Sequence, residues 1–499
     1  FFFKQKTAYE IKECDWSSDV CSSDLSFDPL DGGFEEFERS RLAAGHQRGL
    51  IGGIEPAGVV GERSHACCVP PRSRLRSPVQ QSDRAPLSTG AVLRHGSVRA
   101  LLVSNGVLCI GVALQAAALG KQAYDITGRE ADLGWIGLCE FLPAALLVLV
   151  SGTVADRYDR RKVALIAIGF EILTSVSLGI YAMSGPRKVW PLFVIAFCYG
   201  VARAFMSPAT RTMPPMVAPE GSLPRVIALY STTWTGATII GPAVSGLLYA
   251  IDPVRPWVPY ITSAALIAVG WAFIAGIRFE REPERPPADQ RPTVRHAVEG
   301  LVFIRKTPIL LAAISLDLFA VLFGGAVALL PAIAKDRLHV GDVAYGLLRA
   351  APGIGAAAMA LVLASIPVTR RVGRTLLIAV GVFGIGTVVL GVTRQFAVAF
   401  IALIVLAAAD MVSVFIRGSL VPLVTPDEKR GRVLSVENVF IGASNELGAF
   451  ESGMIGQAVG VPAAVVGGGI ATIAIVGLWW KAFPSLRNVD RFEDLTPGE

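Results

Sequence analysis

Apolar residues along this chain fall in blocks of about 20, the length that crosses a hydrocarbon core of ~30 Å as a helix. The blocks lie at about 99–122, 132–154, 162–184, 189–212, 223–250 and 257–277. They resume at about 308–334, 343–366, 374–392, 396–424, 432–458 and 461–484. Each is read as a helix, because backbone groups in lipid must find their partners within such a segment. The pattern predicts an all-α membrane protein with twelve transmembrane helices in two six-helix bundles, residues 96–277 and 308–484. A charged, proline-rich stretch, 278–307, joins them, and 485–499 form a tail.

The first hundred residues do not follow this pattern. Phe1 to Leu25 resemble a translated sequencing adapter and are set aside. Residues 26–95 are rich in Arg, Pro, Ser and Gly without a sustained period, so they are expected to be disordered or foreign to the protein. No Met precedes Met183, which suggests a fragment or an over-extended reading frame.

Composition narrows the function classes. Hydrophobic residues make up 53% of the chain and charged residues 17%, too little charge to cover a soluble domain of 499 residues. The net charge of +6 sits in short loops and does not point to nucleic acid. One alternating set of loops holds Arg157, Arg160, Arg161 and Lys162, then Arg281 to Arg295, Arg370, Arg371 and Arg374, and Lys429, Arg430 and Arg432; the opposite set is sparser. The positive-inside rule places the basic set, the linker and both termini in the cytoplasm. The seven cysteines show no metal spacing, and three of the five histidines, His46, His65 and His95, fall in the doubtful N-terminal stretch. With no G-x-x-x-x-G-K-[ST], H-E-x-x-H or G-x-S-x-G string, the chain is expected to be no enzyme, to bind no ATP, metal or cofactor, and to draw on an ion gradient.

The two halves match each other. Pro215, Pro219 and Glu220 recur as Pro422, Pro426 and Asp427, and Gly241 and Gly246 recur as Gly448 and Gly453, all about 207 residues apart. Gly137, Glu140 and Pro143 recur as Gly346, Arg349 and Pro352 at an offset of about 209. A parallel repeat of six helices is a known plan among secondary transporters.

Between the second and third blocks stands Gly152-Thr-Val-Ala-Asp156-Arg157-Tyr-Asp159-Arg160-Arg161. It resembles the signature loop of the major facilitator superfamily, G-x-x-x-D-R-x-G-R-R, with Asp159 where glycine is usual. The resemblance implies a conformational latch formed by Gly152, Asp156, Arg157, Arg160 and Arg161. The alternative is a basic loop that only sets topology. Gly236, Gly241, Pro242 and Gly246 in the fifth block resemble the glycine–proline motif of the family's antiporters, where small residues let helices approach; ordinary close packing would also explain them. Ala202 to Ala209 and Gly442 to Gly453 are similar to the subfamily of enterobactin exporters and transmembrane secretion effectors. That resemblance implies a secondary active, proton-coupled exporter of a siderophore or drug-like small molecule, monomeric, in a bacterial cytoplasmic (inner) membrane. An importer or uniporter of the same fold, or a non-transporting scaffold, stays open.

A charge at mid-bilayer costs at least ~2.5–3.5 kcal/mol, so each one needs a reason. The candidates for proton coupling are Asp317 and Glu446 first, then Glu140, with Glu451, Arg203 and Asp410; Glu171 also lies within a block. An interhelical ion pair without a coupling role is the alternative for each. Gln115, Phe141, Trp234, Arg349 and Asn445 are candidates for the substrate cavity, with Tyr124 and Phe319 as further aromatics.

Overall fold

The computed structural model describes residues 88–277, 279 and 294–495. The adapter-like segment and nearly all of the 26–95 extension lie outside the described residues. Twelve long helices follow one another: α1 Gly96–Thr127, α2 Glu130–Arg157, α3 Arg160–Met183, α4 Trp190–Arg211, α5 Leu223–Tyr249, α6 Trp257–Gly276, α7 Pro308–Phe323, α8 Asp342–Ser365, α9 Val372–Val392, α10 Phe396–Val424, α11 Asp427–Val459 and α12 Val461–Ala482. No strand occurs among the described residues.

The expected segments and the helices agree closely, with two differences. The seventh block does not form one helix. It stops at Phe323, passes Gly324-Gly325, and continues through a 3-10 turn, Ala326–Leu329, and a π turn, Ile333–Arg337. Gly325 lies directly against the backbone of Gly448, where a Cβ would collide, and Pro331 lacks the N–H an unbroken helix would use. The second difference is in the linker, where Val294–Lys306 forms a helix. Its Glu299 pairs with Arg432 at 2.5 Å, and Lys429 sits 4.7 Å from the Phe303 ring centre. The tail docks on α9: the backbone N–H groups of Val372 and Gly373 donate to the carbonyls of Asp490 and Val489, and Leu486 is buried.

Helices α1–α6 and α7–α12 pack as two bundles, and between the bundles α2 packs on α11 and α5 on α8. The repeated glycines explain both levels of packing. A Cβ on Gly241 would lie 2.6 Å from Ala113 Cβ on α1, and one on Gly448 would lie 2.7 Å from the Leu322 carbonyl on α7. These are equivalent crossings inside each bundle. One turn further on, Gly246 meets Gly346 of α8 and Gly453 meets Gly134 of α2, the equivalent crossings between bundles. Gly236, by contrast, has no neighbour within 4 Å and plays no part in close packing. Without a hydrophobic force between helices in lipid, contact area of this kind is what holds a bundle.

Among the described residues, nine helices are long and apolar enough to cross a membrane by length and composition. Two long helices outside that set, α5 and α11, each pack against the opposite bundle. α11 carries Glu437, Asn445, Glu446 and Glu451, and α5 carries Ser231, Thr232, Thr233, Thr235 and Thr238. Polar helices of this kind are spared full contact with lipid by lying between the two bundles.

At the basic-loop end, Asp159 accounts for its own departure from the glycine of the signature loop. It is the N-cap of α3, and its Oδ1 accepts the Arg161 backbone N–H at 2.9 Å. Asp159→Ala is expected to weaken the helix start by about 1 kcal/mol, whereas Asp159→Asn keeps the cap. Thermal unfolding of the purified protein should show a small drop for alanine and none for asparagine.

Candidate functional site between the bundles

The contacts between bundles concentrate at the end away from the basic loops. On α2 they involve Gly134 and Gly137, near its start, and on α11 Glu446 to Gly453, towards its end. On α5 they involve Thr238 to Gly246, and on α8 Asp342 to Gly353. Towards the basic loops, Gly152 of α2 and Gly431 of α11 have no neighbour within 4 Å. The close contacts between bundles therefore gather at one end, and we read the open surroundings of Gly152 and Gly431 at the other as the mouth of a cleft.

The closed end is held by charge as well as by glycine contacts. Lys121 of α1 bonds Asp125 at 2.8 Å and reaches Asp342 of α8 at 2.9 Å. Lys335, beyond the break in α7, bonds Asp125 at 3.0 Å. The Tyr124 hydroxyl donates to Asp336, Tyr249 donates to Asp125 at 2.9 Å, and Tyr345 donates to the Ala117 carbonyl at 2.9 Å. Each bundle contributes both signs of charge, so opening this end requires several ion pairs to part together. Lys121 and Lys335 fall in the sparser set of loops of the sequence, and Tyr124, a cavity candidate there, belongs to this closure.

Deeper in the cleft one ion pair joins the bundles. Arg203 of α4 lies 3.6 Å from Glu446 of α11, with side chains 46% and 22% exposed. Exposure at mid-span, next to a partner from the other bundle, places the pair on the cleft wall. Glu446 also approaches α2, where a Cβ on Gly137 would lie 3.4 Å from its Oε2. Glu140 is one turn further along α2, and its charge interacts with Glu446, Arg203 and Arg349. Gly200 lets α4 press against the Glu140 backbone, which fixes Glu140 beside Arg203. Arg349 donates to the Val327 carbonyl at 2.9 Å, in the broken part of α7. Glu140 and Arg349 are the repeat-related pair of the two halves, so the internal symmetry sets an acid against a base across the cleft.

The remaining candidates distribute around this centre. Phe141 follows Gly137 by one turn on α2, and Trp234 precedes Thr238 by one turn on α5, both towards the open end; Trp234 is 36% exposed. Asn445 is exposed, and its amide donates back to the Ile441 carbonyl of its own helix at 2.7 Å. Gln115 is not on the cleft wall: it is buried inside the first bundle and accepts a hydrogen bond from Ser175. Ser175 in turn bonds the carbonyl of Glu171 at 3.1 Å. Glu171 is fully buried, and neither carboxyl oxygen has a hydrogen-bond partner. Glu451 accepts from Ser452 at 3.4 Å near the closed end.

A second charged centre lies inside the second bundle. Asp317 of α7 pairs with Arg417 of α10, and both are buried. Arg417 Nε donates to Ser413 Oγ at 3.2 Å. Asp317, Asp410, Ser413 and Phe383 line one small void. Arg417 escaped the sequence reading. The signal for it was present, a lone basic residue within an apolar block opposite a lone mid-block acid.

Of the latch residues, Arg157 is exposed, and Arg161 donates to the Ala275 carbonyl at the end of α6. Arg160 is also engaged in a contact of its own. The Asp156 side chain lies outside the described residues.

Residues 87–495 match the family described as transmembrane secretion effector. The chain is 26% identical over 217 residues to macrolide efflux protein A of Streptococcus pyogenes, covering 43% of this chain and 52% of that protein. The match thus spans about half the length of that curated relative. It is 26% identical over 377 residues to the multidrug efflux pump Tap of Mycobacterium tuberculosis, covering 73% of this chain and 87% of the relative. In fold it is similar to a bacterial homologue of the human lysosomal transporter Spinster in an inward-facing, unoccupied conformation, with TM-score 0.59, 16% identity, and 78% and 95% of the two chains covered. It is also similar to a D-xylose–proton symporter, with TM-score 0.58, 13% identity, and 78% and 99% covered. The chain is a multi-pass membrane protein of the transmembrane secretion effector family, within the major facilitator superfamily of transporters.

Proposed function

We propose that the protein is a proton-coupled exporter of drug-like small molecules, working by alternating access across a bacterial inner membrane with both termini in the cytoplasm. The observation that carries this reading is the Arg203–Glu446 pair, which joins α4 to α11 across the cleft beside Glu140. A proton arriving at Glu446 removes the charge that Arg203 is paired with, and a cationic or hydrogen-bonding substrate competes for the same acids. Proton and substrate then exclude each other, which is the requirement for antiport. The cleft opens at the basic-loop end, so in this orientation it would load from the cytoplasm. The similar efflux proteins, one named for macrolides and one for multiple drugs, support a drug-like substrate. A siderophore remains a second substrate class, supported by the resemblance of Gly442 to Gly453. The working unit is taken as a monomer, with the proton gradient as its energy source and no cofactor.

The test uses the purified protein in liposomes with an imposed pH gradient and a lumenal pH probe. Adding a macrolide is expected to release protons across the membrane, and a siderophore is tested next in the same vesicles. Glu446→Gln should abolish the substrate-dependent flux while leaving the protein monodisperse. Substrate movement that persists in Glu446→Gln without any pH change would overturn proton coupling through this pair.

A further inference from the structure

The linker helix Val294–Lys306 presents two faces of different meaning. Glu299, Gly300, Phe303 and Ile304 form the inner face. Ile304 is 1% exposed, and a Cβ on Gly300 would lie 2.8 Å from the Arg432 carbonyl, so this face is fixed to the start of α11. The Glu299–Arg432 pair at 2.5 Å holds it there. The opposite face repeats at helical spacing: Ala297 and Val298, then Leu301 and Val302, then Arg305 and Lys306. Val298 is 52% exposed, Leu301 36% and Val302 44%. An apolar stripe of three branched side chains in water is unfavourable, and contiguous exposed apolar patches mark interaction surfaces.

Position identifies the occupant. Only Thr307, itself buried, separates Lys306 from Pro308, the first residue of α7. The apolar span Pro308–Arg337 begins there, so the helix ends at the membrane boundary, on the side of the basic loops. Arg305 and Lys306 close the outer stripe at that boundary. Apolar residues followed by cations at a membrane boundary are the composition of an interfacial helix that meets anionic lipid.

We infer that Val294–Lys306 is a membrane-surface strap: Val298, Leu301 and Val302 enter the interfacial layer of the bilayer, while Arg305 and Lys306 bind anionic lipid headgroups. Because its inner face is fixed to α11, the strap ties the helix that carries Glu446 to the lipid surface. Neither the transport direction nor the substrate enters this inference.

The test is spin-label accessibility in the full-length protein, in a background with its native cysteines replaced by serine or alanine. Nitroxides are placed by Leu301→Cys and Val302→Cys, with Glu428→Cys, an exposed position at the start of α11, as the aqueous control. Vesicles contain either phosphatidylcholine alone or phosphatidylcholine mixed with phosphatidylglycerol. In the anionic vesicles, oxygen, which concentrates in lipid, is expected to relax the labels at 301 and 302 several-fold more than a water-soluble nickel chelate. The order should reverse at 428. The oxygen-to-nickel ratio at 301 and 302 should fall in phosphatidylcholine alone, and also in the Arg305→Gln/Lys306→Gln variant. Labels at 301 and 302 as open to nickel as the control would overturn the proposal, since the face would then be in water. Labels closed to both reagents would overturn it too, since protein would then cover the face. Equal ratios in the two vesicle types would overturn the role given to anionic headgroups.

Discussion

Arg417→Ala is expected to destabilise the protein by roughly 3–5 kcal/mol, the cost of leaving a buried charge without its partner. Asp317 is 5% exposed and Arg417 2%, so no water replaces the lost guanidinium. The void beside the pair is lined by Ala320, Val321, Val380 and Phe383, with Ser413 and a second acid, Asp410, as its other polar groups. The converse variant, Asp317→Asn, leaves Arg417 its bond to Ser413 and is expected to cost less. A combined Asp317→Asn/Arg417→Gln variant removes both charges and keeps a hydrogen bond, so it should recover most of the loss. Unfolding midpoints of wild type, Asp317→Asn, Arg417→Gln and the combined variant in one detergent complete a double-mutant cycle. A midpoint for Arg417→Ala equal to wild type would show that the pair contributes nothing to packing. The cycle also separates stability from coupling, because the rescued variant tests whether Asp317 moves a proton in a protein that is properly folded.

Gly246→Leu is expected to slow transport on the order of tenfold or more, the effect of a bias of about 1.4 kcal/mol against one state. A Cβ at this position would lie 2.6 Å from the Asp342 carbonyl and 2.8 Å from Gly346 Cα. Both obstacles are backbone, so no side chain can swing aside. The wedge separates α5 from α8 and parts Lys121 from Asp342, now 2.9 Å away. The closed end should then spend more time open. A cysteine introduced by Trp234→Cys in the cleft reports this directly, through its reaction with a membrane-impermeant thiol reagent applied from the side opposite the basic loops. Faster labelling in Gly246→Leu than in its parent is the expected result, and unchanged labelling would mean that the α5–α8 crossing does not govern closure.

The helices were legible because lipid leaves the backbone no other option: an apolar block of sufficient length becomes a helix whatever its neighbours do. The break in α7 was not legible, because Gly324-Gly325 acquires its meaning from the backbone of α11 pressing against it. Among charged residues, sequence marked Arg203, Glu446, Glu140 and Asp317 as expensive but could not say which pairs with which. The structure pairs Arg203 with Glu446 across the cleft and gives Asp317 to Arg417 inside one bundle. Arg417 was missed because it lies seven residues from the end of α10, where a basic residue reads as belonging to the boundary. The network around Lys121 and Asp125 was missed for a related reason. Charges near helix ends look like topology signals until a partner from the other half of the chain is seen beside them.

The polarity of α11 has a consequence for how the chain is made. A segment carrying Glu437, Glu446 and Glu451 partitions poorly from the translocon into lipid on its own, since each central charge opposes entry. Its acids find their setting only against helices synthesised much earlier, α2 and α4 among them. The first bundle must therefore wait in the bilayer with Arg203 beside Glu140 but without its partner on α11 until some 240 further residues have been translated. During biosynthesis that half-finished protein is the stage most exposed to quality-control proteases. Substitutions along the cleft are then expected to change how much protein accumulates as well as how fast it works.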